Sequence, residues 1–173
     1  KDQRMMPPRF QHYPVLPKLS DQGLQMTVLT GEWQGHTAPT EVHSPLLAVD
    51  MENAQPTKAT LALRPDFEYG VLCLYGELLV NGQPAPANDL IYLPEGGTSV
   101  QVECGPDSRF ILLGGEPYEG GVLIWWNFVG QSQEEIEGFL ANWNRGEGFG
   151  EPVASPLPPL VAPKMEGKLV RKG

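Results

Sequence analysis

Short apolar runs separated by glycine and proline fill the middle of the chain and predict β-strands. The central run covers residues 71–80 and is broken at Gly76. A glycine inside a strand pattern indicates a β-bulge or a close approach of another backbone segment. Asn81 and Gly82 then supply the two positive φ angles of a type I′ turn, which predicts a hairpin with the apolar run at 90–93.

Further β-favouring runs recur along the chain, with glycine and proline signals between them. They predict additional strands at 24–30, 46–50, 60–63, 99–103, 110–113 and 122–126. Strands spaced at roughly ten residues predict an all-β sandwich or barrel rather than a helical bundle.

A single helix is predicted near residues 132–145. Ser132 and Glu135 have the spacing of a capping box, in which the serine accepts from a helix amide and the glutamate reaches back. Gly146 suits a left-handed C-cap. One apolar stripe at i, i+3, i+4 and i+7 consists of Ile136, Phe139, Leu140 and Trp143. We expect this stripe to pack on the β-structure, so the predicted role of the helix is structural.

The composition favours one acidic domain with many turns. A chain of 173 residues can bury one core, and 20 glycines with 18 prolines fit short elements. The formal charge of −9 disfavours a phosphate backbone, so no nucleic-acid partner is expected. No apolar run reaches the roughly 18 residues that would span a membrane, and none resembles a signal peptide.

The two cysteines predict a reducing compartment rather than a catalytic site. Cys73 and Cys104 are not spaced as a Cys-x-x-Cys pair, and Cys73 lies in an apolar run. We expect buried free thiols and therefore a cytoplasmic protein. No Ser/His/Asp or Cys/His arrangement predicts a nucleophile, and the carboxylates are too dispersed for an acid–base pair, so no catalytic residue is assigned.

Proline content divides the chain into three predicted parts. Residues 1–20 are a Pro-rich extended linker that we expect to follow a preceding domain, residues 21–150 are the β-domain, and residues 151–173 are a Pro-rich basic tail. We expect both ends to be loosely held in the isolated chain. The tail is either an intramolecular strap or, through residues 156–159, a ligand for a module that recognises proline.

Three phrases together resemble the C-terminal half of the pirin family. They are His-Ser-Pro-Leu-Leu-Ala-Val-Asp at 43–50, Arg-Phe-Ile-Leu-Leu-Gly-Gly-Glu-Pro at 109–117, and Trp-Asn-Phe-Val-Gly-Gln-Ser-Gln-Glu-Glu-Ile at 126–136. The resemblance implies a cupin-type double-stranded β-helix (a jelly-roll barrel or sandwich) with one C-terminal helix packed on it. Family members are bicupins, in which an N-terminal cupin binds iron through three histidines and one glutamate, and the C-terminal cupin usually binds no metal.

The metal-binding pattern of cupins is not met in the first motif of this chain. Counting back from the strand glycine places the glutamate position at Tyr69. The two histidine positions fall at Ala62 and Arg64, or at Leu63 and Pro65 if the spacing is one residue shorter. Neither alternative supplies an imidazole. We therefore predict no metal and no cofactor in this chain, and iron in the N-terminal domain that the resemblance implies.

The second cupin motif, Pro-x-Gly-x-x-His, matches at Pro94 and Gly96, and its histidine position is Ser99. Tyr69 and Ser99 are therefore the candidate ligand-binding residues, able to hydrogen-bond an organic molecule inside the barrel. A loop site for a metal is the weaker alternative, with Glu32, His36, Glu41 and His43 as nitrogen and oxygen donors.

Three functions follow from these residues and from the resemblance. The first is a non-catalytic C-terminal cupin that supports an iron-binding N-terminal cupin with quercetin 2,3-dioxygenase-like activity, as some bacterial members have. The second is a protein-interaction module, as the transcriptional cofactor role of eukaryotic members implies. The third is a stand-alone cupin that binds a small ligand near Tyr69 and Ser99. The expected partners are the N-terminal cupin of the same protein and a second copy of the chain.

Overall fold

The computed structural model describes residues 6, 9–118, 120–150 and 157–170. It contains two compact units, Lys1–Pro117 and Tyr118–Gly173. The division of the chain predicted at residues 20 and 150 is not tested by these two units and stays a prediction.

The first unit consists of two antiparallel sheets and a short hairpin. In chain order its strands are β1 (Lys18–Asp21), β2 (Leu24–Thr30), β3 (Glu32–Trp33), β4 (His36–Thr37), β5 (Leu46–Asn53), β6 (Thr57–Ala62), β7 (Glu68–Tyr75), β8 (Leu78–Val80), β9 (Gln83–Pro84), β10 (Leu90–Leu93), β11 (Ser99–Cys104) and β12 (Ser108–Gly115). The larger sheet has the order β1-β2-β5-β12-β7-β10, the smaller sheet has the order β6-β11-β8-β9, and β3 pairs with β4. The mostly-β architecture predicted from the apolar runs is confirmed.

Alternate side chains of both sheets form one apolar core. Buried and more exposed positions alternate along β2 and β5, as expected for strands with one covered face. The largest fully buried side chains of this unit include Phe110, Leu24, Met26, Met51, Leu61 and Leu112. Their burial fixes which residues of each strand face inward, and therefore which can reach the candidate site.

The central hairpin has the close approach that its glycine predicts. Gly76 adopts φ +89°, and a Cβ at this position would lie 2.5 Å from Ser108 Cα. Close to this glycine, the pairing of β7 with β12 shifts register between Arg109, which faces Tyr75, and Phe110, which faces Cys73, and this shift is a β-bulge at Leu74.

Asn81 and Gly82 have φ values of +49° and +77°, so the predicted positive-φ turn is confirmed. The turn joins β8 to the short strand β9, and the run at 90–93 pairs with β7. The predicted hairpin partner of this turn is therefore wrong.

The second unit contains a hairpin and the single helix among the described residues. Its elements are β13 (Leu123–Trp125), β14 (Phe128–Gly130) and α1 (Gln133–Arg145). The Ser132 side chain accepts the N–H of Glu135 at 3.2 Å, and Glu135 Oε2 accepts the N–H of Gln131 at 2.7 Å. Gly146 closes the helix in the left-handed conformation. The capping interactions predicted for both helix ends are therefore confirmed.

The apolar stripe of α1 lies in the core of this second unit. Ile136 is fully buried together with Leu123 and Phe128 of the hairpin, and the larger aromatic side chains pack around them. Among the described residues α1 is the longest helix, and its 13 residues are too few and too polar to cross a lipid bilayer.

The tail is attached to this unit rather than loosely held. Trp143 Nε1 donates to the Leu160 carbonyl at 2.7 Å, and Trp125 Nε1 donates to the Pro163 carbonyl at 3.3 Å. Over residues 157–170 the structure therefore agrees with an intramolecular strap and differs from the expectation of a loose end. The remaining tail residues, 151–156 and 171–173, lie outside the described residues, as do 1–5 and 7–8 of the predicted linker.

Both cysteines are buried free thiols, as predicted. Burial raises the pKa of Cys104 to about 11, and the neighbouring Cys73 adds to the shift. A thiol whose pKa is higher in the folded protein than in the unfolded chain adds to the free energy of unfolding. This contribution is complete at pH values below the pKa of the thiol in the unfolded chain. This stabilisation is lost as pH rises from about 9 towards 11.

We therefore expect the wild type to lose more unfolding free energy between pH 8.5 and 11 than Cys104→Ala loses. Urea unfolding at several pH values measures both slopes. Tyrosines and lysines also lose protons at alkaline pH, but both proteins contain them, so their effect on the slope cancels in the comparison. Equal slopes would contradict the assignment to Cys104.

Candidate functional site

A cleft of about 510 Å³ opens in the first unit beside the β3–β4 hairpin. Its walls include the aromatic rings of Trp33, Phe67 and Tyr69 and the aliphatic side chains of Leu47 and Leu63. A concave, mostly apolar site with few polar groups is typical of sites for small organic molecules. This cleft is where the structure places the sequence-predicted Tyr69.

Tyr69 presents a neutral phenol to the cleft. Its side chain is 3% exposed, and its hydroxyl oxygen accepts the backbone N–H of Arg64 at 2.9 Å. Burial is the largest cause that raises the pKa of Tyr69, so the phenolate is disfavoured at neutral pH. The remaining O–H can donate to a ligand, whereas metal coordination would need the phenolate that burial opposes.

The cation at the cleft is already paired. The Arg64 guanidinium binds Asp66 through two contacts, Nε to Oδ1 at 3.1 Å and Nη2 to Oδ2 at 2.5 Å. It also lies 4.1 Å from the centre of the Phe67 ring. The hydrogen bond from Arg64 is the largest cause that lowers the pKa of Asp66. An anionic ligand would have to displace this carboxylate, so the cleft favours a neutral, planar molecule.

Ser99 is not among the residues that line the cleft around Tyr69. It pairs with Ala62 across the β11–β6 ladder, and both side chains are exposed. Ala62, which stands on the same side of this ladder as Ser99, does line the cleft together with Tyr69. A shared ligand role for Tyr69 and Ser99 therefore stays a prediction.

Neither spacing of the two histidine positions brings an imidazole to the cleft. Ala62 and Arg64 are exposed, Leu63 is partly buried against the core, and all three line the cleft. Glu32 is the single carboxylate among the described lining residues. A redox metal needs imidazole ligands as well as carboxylates, so this donor set does not fit one.

The loop donors are not gathered into a metal site. Arg9 forms an ion pair with Glu41 at 2.5 Å and lies 3.2 Å from His43 Nε2. His36 Nδ1 lies 3.1 Å from a backbone carbonyl oxygen. Within the described ranges, no group of three or more His, Cys, Asp and Glu side chains is placed to hold a metal ion.

Trp33 is a cleft residue that its sequence context does not predict, because the surrounding residues indicate a long polar loop. The side chain is 5% exposed, and its indole N–H lies 3.3 Å from Met26 Sδ. The sequence signal for its burial is a large aromatic residue between Gly31 and Gly35. The burial of this ring could not be predicted, because its partner Met26 comes from another strand.

Residues 48–150 match the family model of the pirin C-terminal cupin domain. The chain belongs to the pirin family. It is 39% identical to a "Putative quercetin 2,3-dioxygenase" of Pseudomonas aeruginosa, over 97% of this chain and 54% of that protein. It is 33% identical to a "Pirin-like protein" of Caulobacter vibrioides, over 80% of this chain and 48% of that protein.

A solved structure agrees with this assignment. The crystal structure of a quercetin 2,3-dioxygenase from Acinetobacter baumannii superposes with a TM-score of 0.93 and 36% identity, over 98% of this chain and 57% of that one. The predicted family and cupin fold are confirmed. This pirin-family chain spans about half the length of the curated relatives it matches, and in pirin proteins such a domain accompanies an N-terminal cupin.

Proposed function

We propose that this chain is the metal-free C-terminal cupin of a two-cupin pirin protein. Its role is to support an iron-binding N-terminal cupin with quercetin 2,3-dioxygenase-like activity. The observation that carries the proposal is the composition of the cleft: alanine and arginine, or leucine and proline, and a buried neutral tyrosine occupy positions of the cupin metal motif. The names of the Pseudomonas relative and of the Acinetobacter enzyme support the substrate class.

The chemistry explains why the two halves would differ. Ground-state oxygen is a triplet and reacts slowly with closed-shell organic molecules, so ring opening of a flavonol requires a redox metal. Such a metal needs imidazole and carboxylate donors that leave open coordination positions. The described residues that line this cleft offer one carboxylate, Glu32, and no imidazole, and the chain contributes an apolar wall and a docking face instead.

The test compares quercetin consumption, with added ferrous iron, by residues 1–173 and by the two-cupin protein that contains them. We expect turnover only in the longer protein, and well under one iron per chain after purification of the shorter one. Tyr69→Phe and Ser99→Ala are the matched variants, because each removes one hydroxyl. Turnover by residues 1–173 that Tyr69→Phe abolishes would show that this cleft is the active site.

A small-ligand cupin is the second candidate, and the free O–H of Tyr69 in an apolar cleft favours it. The Tyr69→Phe variant distinguishes this role as well, because it removes the donor and leaves the ring. A cytoplasmic location, supported by two reduced thiols, and self-association remain part of this proposal.

A further inference from the structure

The second unit holds the backbone of its own Pro-rich tail through two tryptophans. The indole groups of Trp143 and Trp125 donate to the carbonyls of Leu160 and Pro163, which are three residues apart. Both carbonyls are turned towards the indole groups of the unit, so the segment 160–163 is held at each of its ends. Aromatic-lined grooves that donate hydrogen bonds to such segments are a recurrent mode of peptide recognition.

The Trp143 donor is held in place by aromatic contacts within the unit that do not involve the tail. The Trp143 ring packs edge-on against Trp126 at 5.4 Å and against Phe149 at 5.3 Å between ring centroids. Rings fixed by their neighbours lose little freedom on binding, which favours affinity. Asn144 adds a third contact, because its Oδ1 accepts the N–H of Ala162 at 3.1 Å.

The contacts define which segment fits. Ala162 is 3% exposed, so this position requires a small side chain, and its bonded N–H excludes proline. Leu160 and Val161 are 72% and 81% exposed, and Leu160 is held through its carbonyl, so other side chains are tolerated at both positions. The fitting pattern is two unrestricted residues and one small residue other than proline, followed in this tail by Pro163, whose carbonyl accepts from Trp125.

Charge restricts the partner further. Residues 118–150 carry five acidic side chains and one arginine, whereas residues 157–173 carry four basic side chains and one glutamate. The first basic residue of the tail, Lys164, directly follows the proline of the pattern. A basic residue after the proline would therefore favour association with this unit.

We propose that Trp125, Trp143 and Asn144 form a binding site for proline-rich, basic segments of a partner protein, and that the chain's own tail is its resident competitor. A tethered tail has an effective concentration on the order of millimolar. At micromolar protein concentration, the tail of a second copy cannot displace the tethered tail, because the two tails are identical and make the same contacts. The occupant is therefore a different protein, whose segment makes additional contacts with the acidic surface. The proposal does not depend on the role of the cleft in the first unit.

The first test releases the tail in the full chain by Ala162→Leu, with Val161→Leu as the matched control. Leucine does not fit the buried position, which should raise the open fraction of the tail by roughly 10- to 100-fold. The neighbouring exposed position accepts leucine without change. Protease cleavage after Lys164 and the Nε1–H resonances of the two tryptophans report the release. Equal protection in both variants would overturn the proposal.

The second test supplies the segment as a separate peptide, Leu-Pro-Pro-Leu-Val-Ala-Pro-Lys. We expect Ala162→Leu to bind it at least about tenfold more tightly than Val161→Leu, whose site is occupied. The same peptide with leucine in place of alanine should not bind either chain. The proposal would be contradicted if Ala162→Leu folds but fails to bind the wild-type peptide. It would also be contradicted if two copies exchange tails to form a dimer that binds no peptide.

The wild type provides an independent measurement if Ala162→Leu does not fold. Millimolar wild-type peptide should compete with the tethered tail and accelerate its cleavage about tenfold, because its concentration then matches the effective concentration of the tail. The leucine peptide is the control at the same concentration. Equal cleavage with both peptides would overturn the proposal.

Discussion

Gly76→Ala is expected to lower the free energy of unfolding by roughly 2–5 kcal/mol, the sum of a backbone and a packing term. Gly76 adopts φ +89°, a conformation that side chains oppose. The added Cβ would also clash with Ser108 Oγ and lie 2.5 Å from Ser108 Cα. Because one of these contacts is with backbone, a rotamer change cannot relieve it, and the backbone at Gly76 or at Ser108 must move.

Gly82→Ala separates the two contributions. Gly82 has a similar φ of +77°, and a Cβ there would meet nothing within 4 Å. We expect a loss of only about 1–2 kcal/mol, the backbone term alone. Urea unfolding followed by far-UV circular dichroism measures both variants. Equal losses would show that the close approach to Ser108 does not determine the sequence at position 76.

Ile136→Ala is expected to destabilise the second unit by about 2–5 kcal/mol. The side chain is fully buried among Leu123 and Phe128, so its removal leaves a cavity in a small core. A cavity in this core should also loosen Ala162, the buried residue of the tail. Unfolding can be followed by tryptophan fluorescence, because three of the four tryptophans belong to this unit.

Ile124→Ala is the control for the chemical change. Ile124 lies on the β13–β14 hairpin of the same unit and is 63% exposed. The substitution removes the same atoms from a site with few partners, and we expect a change within about 0.5 kcal/mol. A similar loss in both variants would contradict the assignment of Ile136 to the core.

Features that depend on nearby residues could be predicted from the sequence. The caps of α1 follow from Ser132, Glu135 and Gly146, since each bonds within the same turn. The turn at Asn81 and Gly82 follows from the φ angles that these residues tolerate. In each case the energetic preference is local, so no distant partner had to be known.

Features that depend on distant partners could not be predicted. The burial of Trp33 needs Met26 from a different strand, and the attachment of the tail needs Trp143 and Trp125 from the helix and the hairpin. Motif counting places Ser99 at a ligand position, whereas its partner across the sheet, Ala62, follows only from the pairing of β11 with β6. A sequence motif gives the position of a residue along the chain, whereas the pairing of the strands determines the direction of its side chain.

The register of β11 has a consequence for the evolutionary history of this strand. A one-residue slip of β11 against β6 would move Ser99 to the other face of the sheet and expose Val100 and Val102 in the same event. Such a slip would remove two side chains from the core at once, so the register cannot drift through small neutral steps. Sequence divergence in this strand is therefore expected to replace side chains at fixed directions and not to realign the strand.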